Sequence, residues 1–369
     1  YVIAGEDSGD LHASNLIRAL KQRVPDLSVR GLGGDRMAAA GAGLVAHVRD
    51  INFMGFREGV RNLRTIRRLF RTVKADIAAW KPDAVVLVDY PGFNLRLAPF
   101  IKQLGLPVYY YISPQLWAWK QGRVKKIRQY VDRMLVILPF EADFYARHGV
   151  DVDFVGHPLL DAIGDQTDSS PPVPTQRPVL ALLPGSRRQE IQRMLPVMLS
   201  LVSHFPEYEC VIAGAPSQPE SFYRQLMGDK PVRLVMNQTY ALLRQAELAV
   251  VTSGTATLET ALHGVPQVVA YKGGFISYQI GRRLVKVKFI SLVNLILDRP
   301  AVTELIQDAY TPARLRAEVT NLTQPAVRQR LADDYADLRH RLGEEGASER
   351  AAAVLLSHFS GTTTPNSTH

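Results

Sequence analysis

Cysteine is all but missing from this chain: of 369 residues only Cys210, in the apolar run "YECVIAG", is a cysteine. That excludes an intramolecular disulfide and a cysteine-rich zinc site, and it fits a reducing, cytosolic setting. Long apolar runs are missing too, none approaching the roughly 20 residues of a membrane span. No signal peptide is visible. The chain opens directly on a strand pattern, "YVIAGED", so further residues are expected ahead of it. The ATP-type loop G-x-x-x-x-G-K-[ST] is absent, as are zinc spacings, RNP-type motifs, short repeats and heptads. Acidic residues are in deficit, 35 Asp+Glu against 44 Lys+Arg, for a net charge of +9. Such a balance favours anionic partners: nucleic acid, phosphorylated substrates or an acidic membrane surface. With charge as its only support, nucleic acid is not expected.

What is present is a globular chain, 46% hydrophobic and longer than one typical core. Continuous apolar runs alternate with helical patterns. "YVIAG", "LSVRGLGG", "DAVVLVDY", "PVYYYIS", "RMLVILPF" and "VDFVGHP" read as strands in the first half. "VLALLPG", "ECVIAGA", "VRLVMN", "LAVVTSG" and "QVVAYK" do so in the second. Strands of this kind between helices belong to parallel sheets covered on both faces. The fold class is therefore α/β, with two doubly wound domains. The polar, proline-rich "GDQTDSSPPVPTQRP" reads as a linker. The expected layout is a first domain over 1–164, a linker over 165–178 and a second domain over 179–330. Helices over 331–359 and a disordered tail over 360–369 follow.

Ligands of open parallel sheets bind beyond the carboxyl ends of the strands, so the residues after each strand carry the chemistry. "AGEDSGD" places Glu6, Ser8 and Asp10 in a loop opening a helix, as helix caps or as site residues. In "LVDYPGFN", Asp89 follows an apolar strand, where a carboxylate is expensive to bury without a partner. "YISPQLWAWKQGRVKKI" carries Trp117 ahead of a basic run, either as a surface helix start or as a pocket wall. In "LLPGSRRQEI", Gly185 and Ser186 lead into a helix start whose N–H groups, with Arg187 or Arg188, suit a diphosphate. In "VVTSGTATLETALHGVP", the small residues Ser253, Gly254, Thr255, Ala256 and Thr257 open a helix that phosphate oxygens can approach. Glu259 sits one turn further on, placed to accept from ribose hydroxyls. The "DVD" at Asp151–Asp153 has the spacing of a metal-binding D-x-D, but it lies at the start of a strand rather than beyond its end.

Taken together, "AGEDSGD", "FMGFREG", "DYPGFN", "YYISPQLWAWKQGRVKKI", "LPFE", "FVGHPLLD", "LLPGSRRQEI", "TSGTATLETAL", "FISLVNLI" and "TELIQ" run in order from Ala4 to Gln307. In this combination the chain closely resembles the bacterial lipid-A-disaccharide synthases, glycosyltransferases of lipopolysaccharide assembly. The resemblance implies a GT-B fold, with two Rossmann-like domains, a cleft between them and C-terminal helices crossing back to the first domain. It implies transfer from UDP-2,3-diacylglucosamine to 2,3-diacylglucosamine 1-phosphate, giving a β-1,6-linked disaccharide 1-phosphate and UDP. Configuration inverts, and no metal or cofactor is called for. An inverting transfer needs a general base and groups that stabilise the leaving UDP. Asp89 is the base candidate, with Glu6 and Asp10 as alternatives or substrate positioners. Gly185 to Arg187, Ser253 to Thr257 and Glu259 form the donor set. Asn294, Glu304 and Gln307 match family positions near the donor site.

The segment "INFMGFREGVRNLRTIRRLFRTVKADI" is amphipathic as a helix. At 100° per residue its basic residues, among them Arg64, Arg68 and Arg71, share an arc of about 140° opposite Leu69, Val73 and Ile77. The basic face is expected to meet an anionic membrane surface, or else to be a solvated helix face. Met54 and Phe56 would offer apolar contacts to acyl chains. With Ser8 and Trp117 these residues form the acceptor and membrane set. A cytoplasmic protein held peripherally at the inner membrane is expected, with self-association left open. Another GT-B UDP-sugar enzyme, an epimerase or a transferase with a different acceptor, is the rival reading.

Overall fold

The computed structural model describes residues 1–49, 59–118, 121–166, 172–273 and 288–360. The chain forms two compact units, Tyr1–Asp161 with Glu344–His369, and Ala162–Gly343.

The first unit is built on a seven-stranded sheet. Its strands are β1 (Val2–Ala4), β2 (Val29–Gly33), β3 (Ala42–His47), β4 (Val85–Val88), β5 (Val108–Tyr111), β6 (Arg133–Val136) and β7 (Val152–Phe154). The order is β3-β2-β1-β4-β5-β6-β7, every pair parallel. The central strands β4, "VVLV", and β5, "VYYY", are buried along their whole length. This is the reason they read as unbroken apolar runs rather than alternating ones. The helices are α1 (Asp7–Arg23), α2 (Asp35–Ala39), α3 (Gly59–Trp80), α4 (Pro91–Gln103), α5 (Val124–Tyr130) and α6 (Pro139–Ala146), and α7 (Leu159–Gln166) runs from this unit into the second. Leu69, Val73 and Ile77 of α3 join the core with Phe93, Leu97 and Ile101 of α4.

The second unit repeats the plan with six strands. They are β8 (Val179–Leu183), β9 (Glu209–Gly214), β10 (Arg233–Met236), β11 (Ala246–Thr252), β12 (Gln267–Tyr271) and β13 (Thr303–Ile306). Their order is β10-β9-β8-β11-β12-β13, again all parallel. Its helices are α8 (Arg188–Met198), α9 (Glu220–Met227), α10 (Thr239–Leu243), α11 (Thr255–Leu262), α12 (Leu292–Leu297), α13 (Pro312–Leu322) and α14 (Pro325–Leu342). A last helix, α15 (Ala347–Ser360), belongs to the first unit.

Two boundaries differ from the sequence reading. The return to the first unit comes at Glu344, not at 331, because α14 is fastened to the second unit. Tyr335 donates to the Val265 carbonyl at 3.2 Å, and Asp334 accepts from Arg299 at 2.7 and 2.9 Å. What crosses back is α15 alone, which packs on α1. Asp161 caps its start by accepting from the backbone N–H groups of Gly346, Ala347 and Ser348 at 2.6, 3.3 and 3.0 Å. The later part of the 165–178 stretch is also docked. Val173 is buried in the second core, and Gln176 N–H donates to Glu209. Residues 167–171 and the tail from 361 lie outside the described residues.

Candidate functional site

In each sheet the chain reverses its winding direction once, between β1 and β4 in the first unit and between β8 and β11 in the second. A doubly wound sheet opens a crevice at that point, beyond the carboxyl ends of the two strands. The chemistry-bearing loops lie at these two points.

In the first unit, Glu6 follows β1 and Asp89 follows β4. Asp89 and Tyr90 both take left-handed backbone, each at φ 44°, and Ile112, just after β5, does so at φ 65°. Such conformations cost about 1–3 kcal/mol each outside glycine, and they cluster at functional sites. Here neighbours hold them in place. The Asp89 carbonyl accepts from the Asn94 side chain at 2.7 Å and from the Tyr110 hydroxyl, and Asp89 N–H donates to the Tyr111 carbonyl at 3.0 Å. Tyr90 lies over Gly5, where a Cβ would come within 2.1 Å of its ring, so glycine is what lets the two loops meet. The Asp89 carboxyl is pushed up to about 6. Loss of water is the main cause and the negative charge of Glu6 the second, and the Tyr90 N–H partly opposes both. A carboxylate poised there can take a proton near neutral pH.

Asp10 does not share that role, which corrects its place among the candidate bases. It is buried, and its oxygens accept from Gly34 N–H at 2.6 Å, Arg36 N–H at 3.1 Å and Met37 N–H at 3.1 Å. It is the remote cap of α2. Ser8 is exposed in the first turn of α1. Trp117 is no surface helix start: its ring packs on the core, and its indole N–H donates to Glu141 at 3.2 Å. Asp153 of the "DVD" stretch is an ion-pair partner of Arg133 at 2.9 Å.

In the second unit, Gly185 stands at φ 102°, a conformation that calls for glycine, and leads into α8. Ser186 and Arg187 are exposed, and the Arg187 guanidinium lies 3.2 Å from Glu190. Arg188 instead covers the Phe222 ring at 4.2 Å. Gly254 precedes α11 in extended backbone, and nothing lies within 4 Å of where its Cβ would be. Neither conformation nor packing among the described residues requires glycine there. The Thr255 and Ala256 N–H groups open the helix beside it. Thr257 is buried, and its hydroxyl donates back to the Gly254 carbonyl at 2.8 Å, a local tie rather than a contact surface.

Glu259 is half-buried, accepts from the Tyr240 hydroxyl at 3.1 Å, and is raised by loss of water. Such a carboxyl gains from further hydroxyl donors. Gln307, beyond β13, stands at φ 54°, and its buried Nε2 has no hydrogen-bond partner among the described residues. The Thr252 hydroxyl, at the end of β11, is in the same condition.

Asn294 and Glu304 correct the donor set. The Asn294 amide donates to the Val302 carbonyl and to Glu304, each at 2.9 Å, and accepts from Val302 N–H at 2.9 Å. Glu304 also accepts from Ile290 and Ser291 N–H, at 3.0 and 2.9 Å, while Ser253 donates to the Ile290 carbonyl at 2.8 Å. These side chains clip residues 290–291 to the ends of β11 and β13, so their polar atoms are engaged within the unit.

On α3, Arg68 and Arg71 are exposed opposite the buried Leu69, Val73 and Ile77. Met54, Phe56 and the Arg64 side chain lie outside the described residues. Among the described residues no helix is long and apolar enough to cross a membrane. Sequence reasoning passed over Tyr240, Thr252 and Glu141. Only Glu141 left a signal, the acid of "LPFE" just after an apolar strand.

Residues 1–357 match the protein family described as lipid-A-disaccharide synthetase. Lipid-A-disaccharide synthases of Syntrophus aciditrophicus (strain SB) and Myxococcus xanthus (strain DK1622) are 43% and 41% identical to the chain over 368 residues, covering 96% of it and 96% of each relative. Among solved structures it is similar to the calicheamicin glycosyltransferase, with a TM-score of 0.63 and 17% identity over 99% of this chain and 98% of that one. A second likeness is to UDP-GlcNAc 2-epimerase from Neisseria meningitidis bound to UDP-GlcNAc, with a TM-score of 0.61 and 12% identity over 98% and 99%. These two likenesses show the fold alone, a pair of parallel-sheet α/β domains of the GT-B kind.

Proposed function

This chain belongs to the lipid-A-disaccharide synthase family, and from that premise we propose that it joins UDP-2,3-diacylglucosamine to 2,3-diacylglucosamine 1-phosphate. The family makes it a glycosyltransferase of lipid A disaccharide formation. The two substrates, release of UDP and inversion are our reading. The acceptor 6-hydroxyl attacks the donor anomeric carbon, the new C–O bond forms as the bond to the diphosphate breaks, and the electron pair leaves with UDP. The hydroxyl proton goes to Asp89. The observation that carries this reading is the Asp89 carboxyl, raised to about 6 on a strained turn beside Glu6. Arg187 and the opening of α11 meet the charge of the diphosphate. Glu259 accepts from the ribose, and Gln307 has an unused amide for the nucleotide. The reading assigns no metal or cofactor. The test is mass spectrometry of the products from the two lipids. A disaccharide 1-phosphate with an equivalent of UDP supports the proposal, whereas an altered UDP-sugar formed without acceptor would turn it towards an epimerase.

The nucleotide contacts make a second expectation. Glu259→Ala and Arg187→Ala should each weaken UDP binding about ten-fold or more, since a hydrogen bond to a charged group contributes about 1.5–3 kcal/mol. Arg314→Ala, on the exposed start of α13, should leave it unchanged. Calorimetric titration decides. Full affinity in both variants would move the nucleotide elsewhere.

The lipids lie in a bilayer, so the basic face of α3 is read as the part that meets its anionic surface. A basic residue near such a leaflet contributes about 1 kcal/mol. Reversing Arg64, Arg68 and Arg71 to Glu should then lower flotation with anionic vesicles roughly a hundred-fold at low salt and spare UDP affinity. Equal flotation of the two proteins would leave the face a solvated one.

A further inference from the structure

The loop leaving β5, residues 112–118, is fastened to α6 at two places. Near its start, the Ser113 hydroxyl meets the Tyr145 hydroxyl at 2.8 Å. Near its end, the Trp117 indole N–H donates to Glu141 Oε1 at 3.2 Å. Glu141 and Tyr145 are one turn apart on one helix face, and their partners are likewise four residues apart. Glu141 is buried, 1% exposed, in the first turn of α6. Its Oε2 accepts from Ile137 and Leu138 N–H at 3.3 and 3.0 Å, and this alone completes the helix start. The second oxygen is therefore free of any duty to the helix, and it holds the indole. The Trp117 ring, half-buried, also packs edge-on against Phe140 with centroids 5.0 Å apart, so its plane is set from two sides.

This clamped loop begins beside the candidate base. Val88 and Tyr111 are register partners in β4 and β5, and Asp89 N–H donates to the Tyr111 carbonyl. Leaving a carboxylate in such a place is costly. Burial raises it to about 7, against the N–H groups of Leu138, Ile137 and Trp117 and the Ser113 hydroxyl. The cap of α6 accounts for one carboxylate oxygen, and the indole N–H takes the other.

We propose that Glu141 is a positioning residue of the transfer, holding Trp117 so that the 112–118 loop is a preformed wall for the acceptor's sugar ring. An aromatic ring suits that task because the C–H face of a hexose packs on it. The proposal rests on the transfer reading above.

The test is a cycle of Trp117→Phe, Glu141→Gln and the double variant. A glutamine has one acceptor oxygen, so it cannot serve the backbone N–H groups and the indole together. Each single variant is expected to raise the acceptor KM about ten-fold with UDP affinity unchanged. The double variant should be no worse than the weaker single one. In Glu141→Gln the emission of Trp117, obtained by difference from Trp117→Phe, should shift. Losses that multiply in the double variant, or a lowered Tm with an unchanged acceptor KM, would reduce Glu141 to a cap of α6. If Glu141→Gln fails to fold, Trp117→Phe decides alone, and an unchanged acceptor KM overturns the proposal. A wild type that makes no disaccharide sinks the transfer reading and the sugar wall with it. An unshifted emission instead sinks the clamp while leaving transfer intact.

Discussion

Asp89→Asn is expected to lower turnover by roughly 10²–10⁴, the range of a lost general base, with UDP affinity near that of the wild type. Asparagine is the right replacement because, like aspartate, it adopts left-handed backbone more readily than most non-glycine residues. The turn at φ 44° should therefore survive, together with its ties to Asn94 and Tyr110. What goes is the ability to take a proton. The acid limb of the wild-type profile should fall near pH 6, because Asp89 works only when ionised and its carboxyl is raised to about that value. Glu6→Gln removes the second cause of the rise, so it should move that limb to lower pH without abolishing turnover. Steady-state kinetics across pH 4.5–8 (about the range a carboxylate base would show) measures both. Near-normal turnover in Asp89→Asn would pass the base assignment to Glu6, since the Asp10 oxygens are already taken by three backbone N–H groups.

The second large effect is on acid stability. His12 of α1 and His157, after β7, are held neutral by burial. The first is lowered to about 4, and the second to about 3 with the charge of His12 as a lesser cause. Asp161 pulls His12 up and Arg36 pushes it down, but burial dominates. The unfolded chain takes up protons at these sites below about pH 6.5 while the folded one does not. Their contribution is therefore complete above pH 6.5 and is lost as the pH falls towards 4. At about 1.4 kcal/mol per pH unit, each histidine accounts for about 3 kcal/mol by pH 4. Asp89 and Glu141 act with the opposite sign over much of the same window. Their folded values lie above the unfolded ones, so protonation favours the fold. The wild-type slope is thus a balance, and the informative quantity is a difference. His12→Gln/His157→Gln should gain several kcal/mol on the wild type between pH 7 and pH 4. Denaturant unfolding followed by tryptophan emission reads this in the right unit, since Trp80, Trp117 and Trp119 all belong to the first. Parallel pH curves for the two proteins would mean that the histidines titrate normally.

Much of this architecture could be read from the chain itself, for a physical reason. A central parallel strand is covered on both faces, so "AVVLV" and "LAVVT" stand out as unbroken apolar runs, and whatever polar residue follows marks a strand end. The places of Asp89, Arg187 and Gly254 just beyond strand ends were legible in that way. The edge strands β3 and β13 were not. "AGLVAH" is rich in small residues and "TELI" carries a glutamate, because each has a neighbour on one side only and is just partly buried. The function of Asp10 was hidden for another reason. Its partners lie more than twenty residues away, and a remote cap has no local spacing to betray it. Asn294 and Glu304 sat in the right motifs, yet sequence position cannot tell a side chain that faces a ligand from one that braces the loop behind it. The helical character of 331–359 was plain, but helicity does not say which sheet a helix covers. That depended on Tyr335 and Asp334 finding partners in one unit and Asp161 reaching Gly346 in the other.

That last contact bears on the order in which the molecule is made. The first unit is interrupted: everything from Ala162 to Gly343 is synthesised before α15, its final helix, exists. Domains emerging from a ribosome ordinarily fold as units, the earliest first. Here the earlier unit has its seven strands in hand but lacks the helix that covers α1, and the Asp161 carboxylate waits for three N–H groups not yet polymerised. The second unit is drawn from one continuous stretch and has no such wait. Completion therefore runs backwards along the chain, and the step that finishes the half bearing Asp89 is the arrival of its most distant segment.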